Sequence, residues 1–331
     1  MKEIIRHIGQ LFMVSFQGAT PSATFLNFIN EENIGGVILF GDNCNNIQQI
    51  RDNIRLIQDN CKITPLIAID QEGGRVSRIK GAPAEILAPF EYGTKLGLER
   101  FADDYSRSLV FLESQGINLN LAPVADIFLD ENNACLKDRC FGATPEEVVP
   151  FVSRAVELAR QHRVLSCVKH FPGLGATKSD PHIKTASAEY DLIVWEQREK
   201  IPFKAALDKG VDMVMTTHLN LPKIDDTIVT GSSKIINTML RGMLAFDGVV
   251  ITDDLLMNGA DPLGDIGERS VAAFNAGHDI LLFGQNLESS MRAFDYFREA
   301  IQRGEISHEA LADSLGRVTG MKYKLNQSVI I

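Results

Sequence analysis

Polar residues that can do chemistry follow short apolar runs at five places in the chain. These places are Asp70-Gln71-Glu72, Pro123-Val124-Ala125-Asp126, Lys169-His170, Thr216-Thr217-His218 and Asp253-Asp254. If the apolar runs are parallel strands of one barrel, their carboxyl ends meet at one rim, where the active sites of such folds lie. Carboxylates, cations and imidazoles gathered there would balance one another's charge and could hold a polar substrate with several hydroxyl groups.

Asp253 is the candidate nucleophile. It follows the run Gly248-Val249-Val250-Ile251-Thr252, so its carboxylate is expected at the mouth of a strand, pointing into the cleft. A carboxylate in that position can attack an anomeric carbon and later leave from the glycosyl ester. Because successive side chains of a strand alternate in direction, Asp254 is expected to point away and to start a helix or serve a structural role.

A second candidate group lies in the segment from Phe171 to His182, which is rich in turn formers and has neither a helical nor a strand period. We expect a mobile loop over the barrel mouth. Within it, Asp180 and His182 are two residues apart, so the carboxylate could orient the imidazole and stabilise its charge. Such a histidine could protonate a leaving oxygen, although an exposed loop histidine without function fits the same spacing.

The elements that must position these residues alternate along the whole chain, a short β-branched run followed by a segment of helical period. Eight parallel strands with right-handed crossovers predict an α/β fold, a single-domain (β/α)₈ barrel over residues 1–331 without a second domain; an open doubly wound sheet is the alternative. The predicted strands are Leu11–Phe16, Gly36–Phe40, Leu66–Asp70, Asn118–Ala122, Leu165–Lys169, Val211–Thr216, Gly248–Thr252 and Asp279–Phe283. Predicted helices include Ile47–Gln58, Pro145–Gln161, Trp195–Lys209, Lys234–Leu244, Gly267–Ala276 and a closing helix from Ser307.

The bulk composition narrows the class of protein. With 331 residues, 45% hydrophobic and 23% charged, the chain has the balance of a soluble globular protein, and its net charge of −10 argues against nucleic acid as a partner. The N-terminus lacks the apolar core of a secretory signal and no run of 18 apolar residues occurs, so a cytoplasmic protein without membrane contact is expected. Five cysteines without a CxxC motif predict free thiols.

Two other motif interpretations are weaker. Gly173-Leu174-Gly175 lacks the spacing of a phosphate-binding loop. His170, His182, His218, Asp180 and Asp253 could hold a divalent metal, but the chain has no HExxH motif, and Lys169 would place an ammonium group beside the ion. We therefore expect neither a metal nor a cofactor.

Six motifs occur in order along nearly the whole chain: Ile8–Val14, Ile69–Val76, Ala122–Asp126, Asp138–Gly142, Lys169–Gly173 and Ile251–Met257. Together they resemble glycoside hydrolase family 3, in its single-domain β-N-acetylglucosaminidase branch, which recycles peptidoglycan fragments in bacteria. The resemblance implies that Asp253 is the nucleophile and that Asp180 and His182 form the acid/base dyad. It also implies a set of residues that bind the sugar: Asp70, Arg78, Arg139, Lys169, His170 and Met257. Because other members of the family usually take a glutamate acid/base from a second domain, the dyad favours an N-acetylhexosamine substrate.

The loop departs from this branch at three positions. The branch usually has histidine at Leu174, aspartate at Ala176 and serine at Pro181. The loss of these polar groups, and of a backbone donor at the proline, could change how the loop closes, which aglycone is accepted, or the rate.

The expected function is two-step retaining hydrolysis that releases terminal β-linked N-acetylglucosamine from glycoconjugates such as peptidoglycan fragments. A small carbohydrate is the expected partner, and the sequence does not predict an oligomeric state. Two alternatives remain open. One is an N-acetylglucosaminide phosphorylase, because a neutral histidine does not repel phosphate; the other is a non-catalytic sugar-binding barrel whose loop has lost its function.

Overall fold

Eight parallel strands close into a barrel in the computed structural model, which describes residues 5–81, 83–177 and 185–327. The strands are β1 (Phe12–Val14), β2 (Gly36–Leu39), β3 (Leu66–Ile69), β4 (Leu119–Asn120), β5 (Leu165–Phe171), β6 (Met213–Thr216), β7 (Val249–Ile251) and β8 (Leu281–Leu282). They pair in chain order, β1 also pairs with β8, and a parallel bridge between Ile251 and Ile280 joins β7 to β8. The barrel prediction and all eight strand positions are confirmed, and the open sheet is excluded.

Seven strands are shorter than predicted, whereas β5 extends two residues further, to Phe171. Asn118 was predicted to begin the fourth strand, and its backbone amide bonds to the Ile67 carbonyl at 3.1 Å while its carboxamide oxygen accepts the Ile67 amide at 2.8 Å. The regular pairing of β4 starts one residue later, at Leu119.

Helices surround the barrel and begin at residues whose side chains cap them. Asn46 accepts the Gln49 amide, and Thr144 and Glu147 form a reciprocal capping box. The α-helices are Ala23–Glu31, Ile47–Asn60, Pro89–Glu91, Gly97–Ser114, Pro145–Gln161, Leu192–Gln197, Lys200–Asp208, Ile266–Ala276, Leu287–Gln302 and His308–Gln327, with π-helical turns at Tyr92–Leu96 and Lys234–Met243. Short 3₁₀ turns lie at Ile8–Leu11, Gly41–Asn43, Val229–Gly231 and Asn258–Leu263.

The predicted helix Trp195–Lys209 is wrong in one respect, because the structure has two helices there. Pro202 has no N–H to donate to the carbonyl of Arg198 and its ring would clash with that carbonyl in a continuous helix. The first helix ends at Gln197 and the second begins at Lys200, with Glu199 buried between them.

A small antiparallel sheet folds the chain back at the exit of β3. Gln71–Gly73 pairs with Val76–Ser77, and the turn between them uses Gly73 and Gly74 at φ of 115° and 54°. A Cβ on Gly73 would lie 2.2 Å from the Leu87 carbonyl oxygen, so a larger residue could not form this turn. This hairpin carries Glu72 and leads to Arg78 at the barrel mouth. A second pair of short strands, Ala186–Ser187 and Leu219–Asn220, runs parallel.

Two further expectations concern the whole chain. All five cysteines are free, as predicted. Of the helices in the described ranges, none combines the length and the apolar character needed to cross a membrane.

Candidate active site

A pocket of about 290 Å³ lies at the C-terminal ends of the barrel strands. Every predicted substrate-binding residue lines it, together with the predicted nucleophile; these residues are Asp70, Arg78, Arg139, Lys169, His170, Asp253 and Met257. Glu72, Arg75, Leu174 and Asp254 add to its walls. Asp180 and His182 fall within residues 178–184, outside the described residues, so the predicted dyad stays a prediction.

One wall of the pocket is a network of carboxylates and cations. Glu72 accepts two parallel bonds from Arg139, at 2.7 and 2.8 Å, and a third from the Lys169 ammonium at 2.6 Å. The same ammonium reaches Asp70 at 2.8 Å, and Asp70 also pairs with Arg78 at 2.9 Å. These charges are taken out of water together, and each has a partner of opposite sign at hydrogen-bond distance, which is the arrangement that makes such burial tolerable.

The network fixes the charge state of its members. Burial alone would raise the pKa of Asp70, but Lys169 and Arg78 outweigh it and lower the pKa below its usual range. Burial likewise favours a raised pKa for Glu72, yet Arg139 and Lys169 bring it down to about 2. Burial opposes the charge of Lys169, and the two carboxylates hold its pKa above the ordinary value. At neutral pH the wall therefore presents fixed acceptors and fixed donors to a sugar's hydroxyl groups.

Lys169 and His170 are consecutive residues of β5, yet both line the pocket. Alternation would send one of them to the other side of the strand. The pairing register between β5 and β6 shifts between Val168 and Phe171, and irregularities of this kind redirect side chains near functional sites. The shift explains how adjacent residues of one strand serve the same cavity.

A buried carboxylate behind the pocket holds His170. Asp126 is 1% exposed and lies 2.6 Å from the Nδ1 atom of His170. The other ring nitrogen of His170 lies 3.2 Å from a guanidinium nitrogen of Arg139. The ring is thus fixed from both sides.

Asp253 and Asp254 both line the pocket, so the prediction that Asp254 points away from the cleft is wrong, but the two residues differ in their bonds. The Asp254 carboxylate accepts the backbone amides of Leu256 at 3.0 Å and Gly284 at 2.9 Å, which agrees with a structural role, although no helix begins there. Asp253 accepts the Asp254 amide at 2.8 Å. His218 does not line the pocket; it is fully buried, bonded to Thr230 and to the Asp254 carbonyl, and so supports the segment that carries Asp253.

The beginning of the predicted loop is anchored to the barrel. Phe171 still belongs to β5, and the Leu174 amide donates to Asp126 at 2.6 Å. Pro172 accepts a bond from the Trp195 indole at 3.0 Å, and Leu174 is 1% exposed. At the position where the resembled branch usually has a histidine, this chain therefore places a buried apolar side chain in the pocket wall. Pro181 lies outside the described residues.

Sequence reasoning did not assign roles to Glu72 and Asp126. Both stand in the motifs that carry the resemblance, and both are acidic residues beyond a strand end, so position alone marked them. Glu72 holds Arg139 and Lys169, and Asp126 holds the imidazole of His170; because these partners come from distant segments, the pairing is visible only in three dimensions. Across the described ranges, no group of three or more His, Cys, Asp or Glu side chains is arranged to hold a metal ion.

A parallel barrel with paired carboxylates and cations at its mouth, beside an aspartate at a strand end, defines a carbohydrate-processing site of the glycosidase type. The sequence model of the glycosyl hydrolase family 3 N-terminal domain matches residues 4–321. The chain therefore belongs to glycoside hydrolase family 3, and the predicted resemblance is confirmed.

Individual relatives agree with this membership. An uncharacterized secreted glycosyl hydrolase from Arthroderma benhamiae is 32% identical over 96% of this chain and 93% of its own length. A β-hexosaminidase from Tolumonas auensis is 30% identical over 86% of this chain and 85% of its own length. The solved structure of a family 3 β-N-acetylglucosaminidase from Paenibacillus superposes with a TM-score of 0.94 at 32% identity, covering 99% of this chain but 63% of that one.

Proposed function

We propose that this chain is a β-N-acetylhexosaminidase that releases terminal β-linked N-acetylglucosamine with retention of configuration. The observation that carries the proposal is that Asp253 and all six predicted sugar-binding residues line one cavity. The names of the relatives from Tolumonas and Paenibacillus support the choice of an N-acetylhexosamine.

The proposed reaction has two steps. A carboxylate oxygen of Asp253 attacks the anomeric carbon while the bond to the aglycone oxygen breaks, and His182, oriented by Asp180, gives its proton to that oxygen. In the second step His182 takes a proton from water, the water oxygen bonds to the anomeric carbon, and the bond to Asp253 breaks. Asp70, Arg78, Arg139, Lys169 and His170 hold the sugar's hydroxyl groups throughout, and the thioether of Met257 packs beside it.

Trapping the covalent intermediate tests the nucleophile. We expect a fluorinated N-acetylhexosaminide with an activated leaving group to label the protein once, with the adduct on the peptide that contains Asp253. D253N should take no label and lose several orders of magnitude in hydrolysis of an aryl β-N-acetylglucosaminide. D261N is the matched control, because Asp261 is a surface residue paired with Arg269. This variant should still be labelled and should still hydrolyse the aryl substrate. An adduct on any other residue would overturn the assignment.

Two finer features belong to the same proposal. Peptidoglycan fragments are the proposed natural substrates, as in the branch that the motifs resemble, and mass spectrometry of products from muropeptides and from chitobiose would compare the two classes directly. Product analysis with and without phosphate separates hydrolysis from phosphorolysis: free N-acetylglucosamine in both conditions is expected, and a sugar phosphate would contradict the hydrolase. We also propose a cytoplasmic location, supported by the five free cysteines; cell fractionation checks it.

A further inference from the structure

We infer that Asp126 is a positioning residue whose one buried carboxylate sets the tautomer of His170 and, at the same time, the place of the turn at Leu174. His170 and Leu174 both line the pocket, so two of its walls depend on a residue that does not itself line it. The consequence for catalysis rests on the proposed function. The effect of Asp126 on the tautomer of His170 can be measured whether or not the proposed function is correct.

The two oxygens of Asp126 have separate duties. One of them, Oδ2, receives both the backbone amide of His170 at 3.2 Å and the ring Nδ1 at 2.6 Å. The other, Oδ1, receives the backbone amide of Leu174 at 2.6 Å. With three donors on two oxygens and 1% exposure, the carboxylate has a single orientation in which all of these bonds are made.

The partners on the two sides of the ring determine where its proton lies. A guanidinium group has only donors, so the Nε2 atom of His170, which lies 3.2 Å from Arg139, must act as an acceptor. An ionised carboxylate has only acceptors, so Nδ1 must carry the proton toward Asp126. The geometry therefore assigns the neutral tautomer protonated on Nδ1, with the Nε2 lone pair directed toward the donors of the pocket.

This tautomer gives the site a defined pattern of hydrogen bonding. The one Nε2 lone pair of His170 accepts from Arg139, so the ring holds the guanidinium group in the orientation in which its other N–H groups face Glu72 and the pocket. The opposite tautomer would point an N–H at Arg139, so that two donors would face each other. The ring or the guanidinium group would then turn away, and Arg139 would lose this support in the pocket wall.

Replacing the carboxylate by an amide tests the assignment. In D126N one oxygen becomes an NH₂ group, which only donates, so the single remaining oxygen cannot accept from both His170 Nδ1 and the Leu174 amide. If the remaining oxygen keeps the Leu174 amide, the NH₂ group faces Nδ1 and favours the tautomer protonated on Nε2. If it keeps the ring, the turn at Leu174 loses its anchor instead.

The decisive measurement is long-range ¹H–¹⁵N NMR of the histidine-labelled protein, with the His170 signals identified by their loss in H170Q. We expect the wild-type ring to be protonated on Nδ1 and not on Nε2. Protonation of Nε2 in the wild type, as a neutral ring or as an imidazolium, would overturn the inference. Because this readout uses the wild-type protein, it holds even if D126N does not fold.

For the folded D126N variant we expect a changed His170 spectrum and a kcat/KM for an aryl β-N-acetylglucosaminide that falls about 10–100-fold, the effect typical of removing a carboxylate that orients a metal-bound histidine. D279N is the control for loss of a buried carboxylate, because Asp279 is fully buried, does not line the pocket, and binds Arg241 and Arg317 as well as the Val250 amide. It should lower stability and leave the His170 spectrum unchanged. An unchanged spectrum in D126N, or a loss of kcat/KM no larger than in D279N, would refute the positioning role. If the wild type does not hydrolyse the substrate, the proposed function fails, while the spectrum still decides the role of Asp126.

Discussion

The Glu72 carboxylate should be the most costly charge to remove from the pocket wall. It is 5% exposed and binds two cations, Arg139 through two parallel bonds and Lys169 through one. In E72Q an amide replaces the carboxylate, so Arg139 keeps no carboxylate partner and Lys169 keeps only Asp70. Removing one partner of a buried ion pair typically costs about 3–5 kcal/mol, because the other charge stays buried and uncompensated.

The pKa of Glu72 gives a second measure of the same interaction. It falls from the ordinary value of 4.5 to about 2 on folding, which corresponds to about 3 kcal/mol in favour of the folded state. Since the pKa is lower in the folded chain, this stabilisation is fully present above pH 4.5 and is lost as the pH falls toward 2. The typical cost of breaking a buried ion pair and the pKa shift of Glu72 therefore both indicate a loss of about 3 kcal/mol in the free energy of unfolding at neutral pH.

The assay is unfolding at pH 7 by urea and by heat. At roughly 2.1 cal/mol/K per residue, 331 residues have an entropy of unfolding of about 0.7 kcal/mol/K, so E72Q should melt about 4 °C below the wild type. Its kcat/KM should fall about 10–100-fold, because Arg139 and Lys169 lose their orientation. The two proteins should approach each other in stability as the pH falls from 4.5 toward 2, because over this range the unfolded wild-type chain binds a proton at Glu72 that the folded chain does not.

E157Q is the matched control for E72Q. Glu157 also contacts one arginine and one lysine, Arg154 at 3.5 Å and Lys209 at 2.7 Å, but its side chain is 35% exposed on the surface. Exposed pairs contribute up to about 1 kcal/mol, so this variant should stay within about 1 °C of the wild type and keep full activity. Equal losses in E157Q and E72Q, or no loss in E72Q, would refute the argument from burial.

Three further changes test the supports of the site. W195F removes the indole donor to the Pro172 carbonyl and part of a fully buried ring, so it should cost more than the roughly 1 kcal/mol of a hydrogen bond, measured by urea unfolding; a variant as stable as the wild type would contradict this. G175A places a methyl group 1.8 Å from the Ile127 carbonyl oxygen, so the turn must shift and kcat/KM should fall; unchanged kinetics would contradict this. Burial lowers the pKa of His278 to about 4, so the neutral ring stabilises the fold above pH 6.5 and this contribution is lost between pH 6.5 and 4; H278N should show a flatter loss of stability over that range than the wild type.

The barrel could be predicted because its signals are local. Each strand is a short apolar run buried on both sides, and each crossover helix has its own period and cap, so no distant partner is needed to recognise either. The error at Trp195–Lys209 also comes from relying on a local signal, the apolar period. The apolar period continues across Arg198, but Pro202 breaks the backbone bond that a continuous helix needs.

The position of the site could be predicted from the sequence, but the hydrogen bonds and ion pairs between its residues could not. Strand-end positions correctly brought Asp70, Lys169, His170 and Asp253 to one cavity. The alternation rule, however, cannot explain why Lys169 and His170 share it, because the register shift in β5 depends on how β6 packs beside it. The partners of each charge also come from distant segments: Arg139 is 67 residues from Glu72, and His170 is 44 residues from Asp126.

The bonding partners of the acidic residues in the pocket distinguish their roles, whereas their positions in the sequence do not. Asp70 and Glu72 are each held by two cations, so their lone pairs are engaged and they serve as fixed acceptors. Asp254 is bonded to backbone amides. Within the described part of the chain, Asp253 receives a single bond, from the Asp254 amide, and no cation pairs with it. A carboxylate that must form a bond to carbon needs an oxygen that is not already neutralised by an ion pair. Of the acidic side chains that line this cavity, Asp253 meets that condition best, so the proposal that it is the nucleophile is supported by its contacts as well as by its place at a strand end.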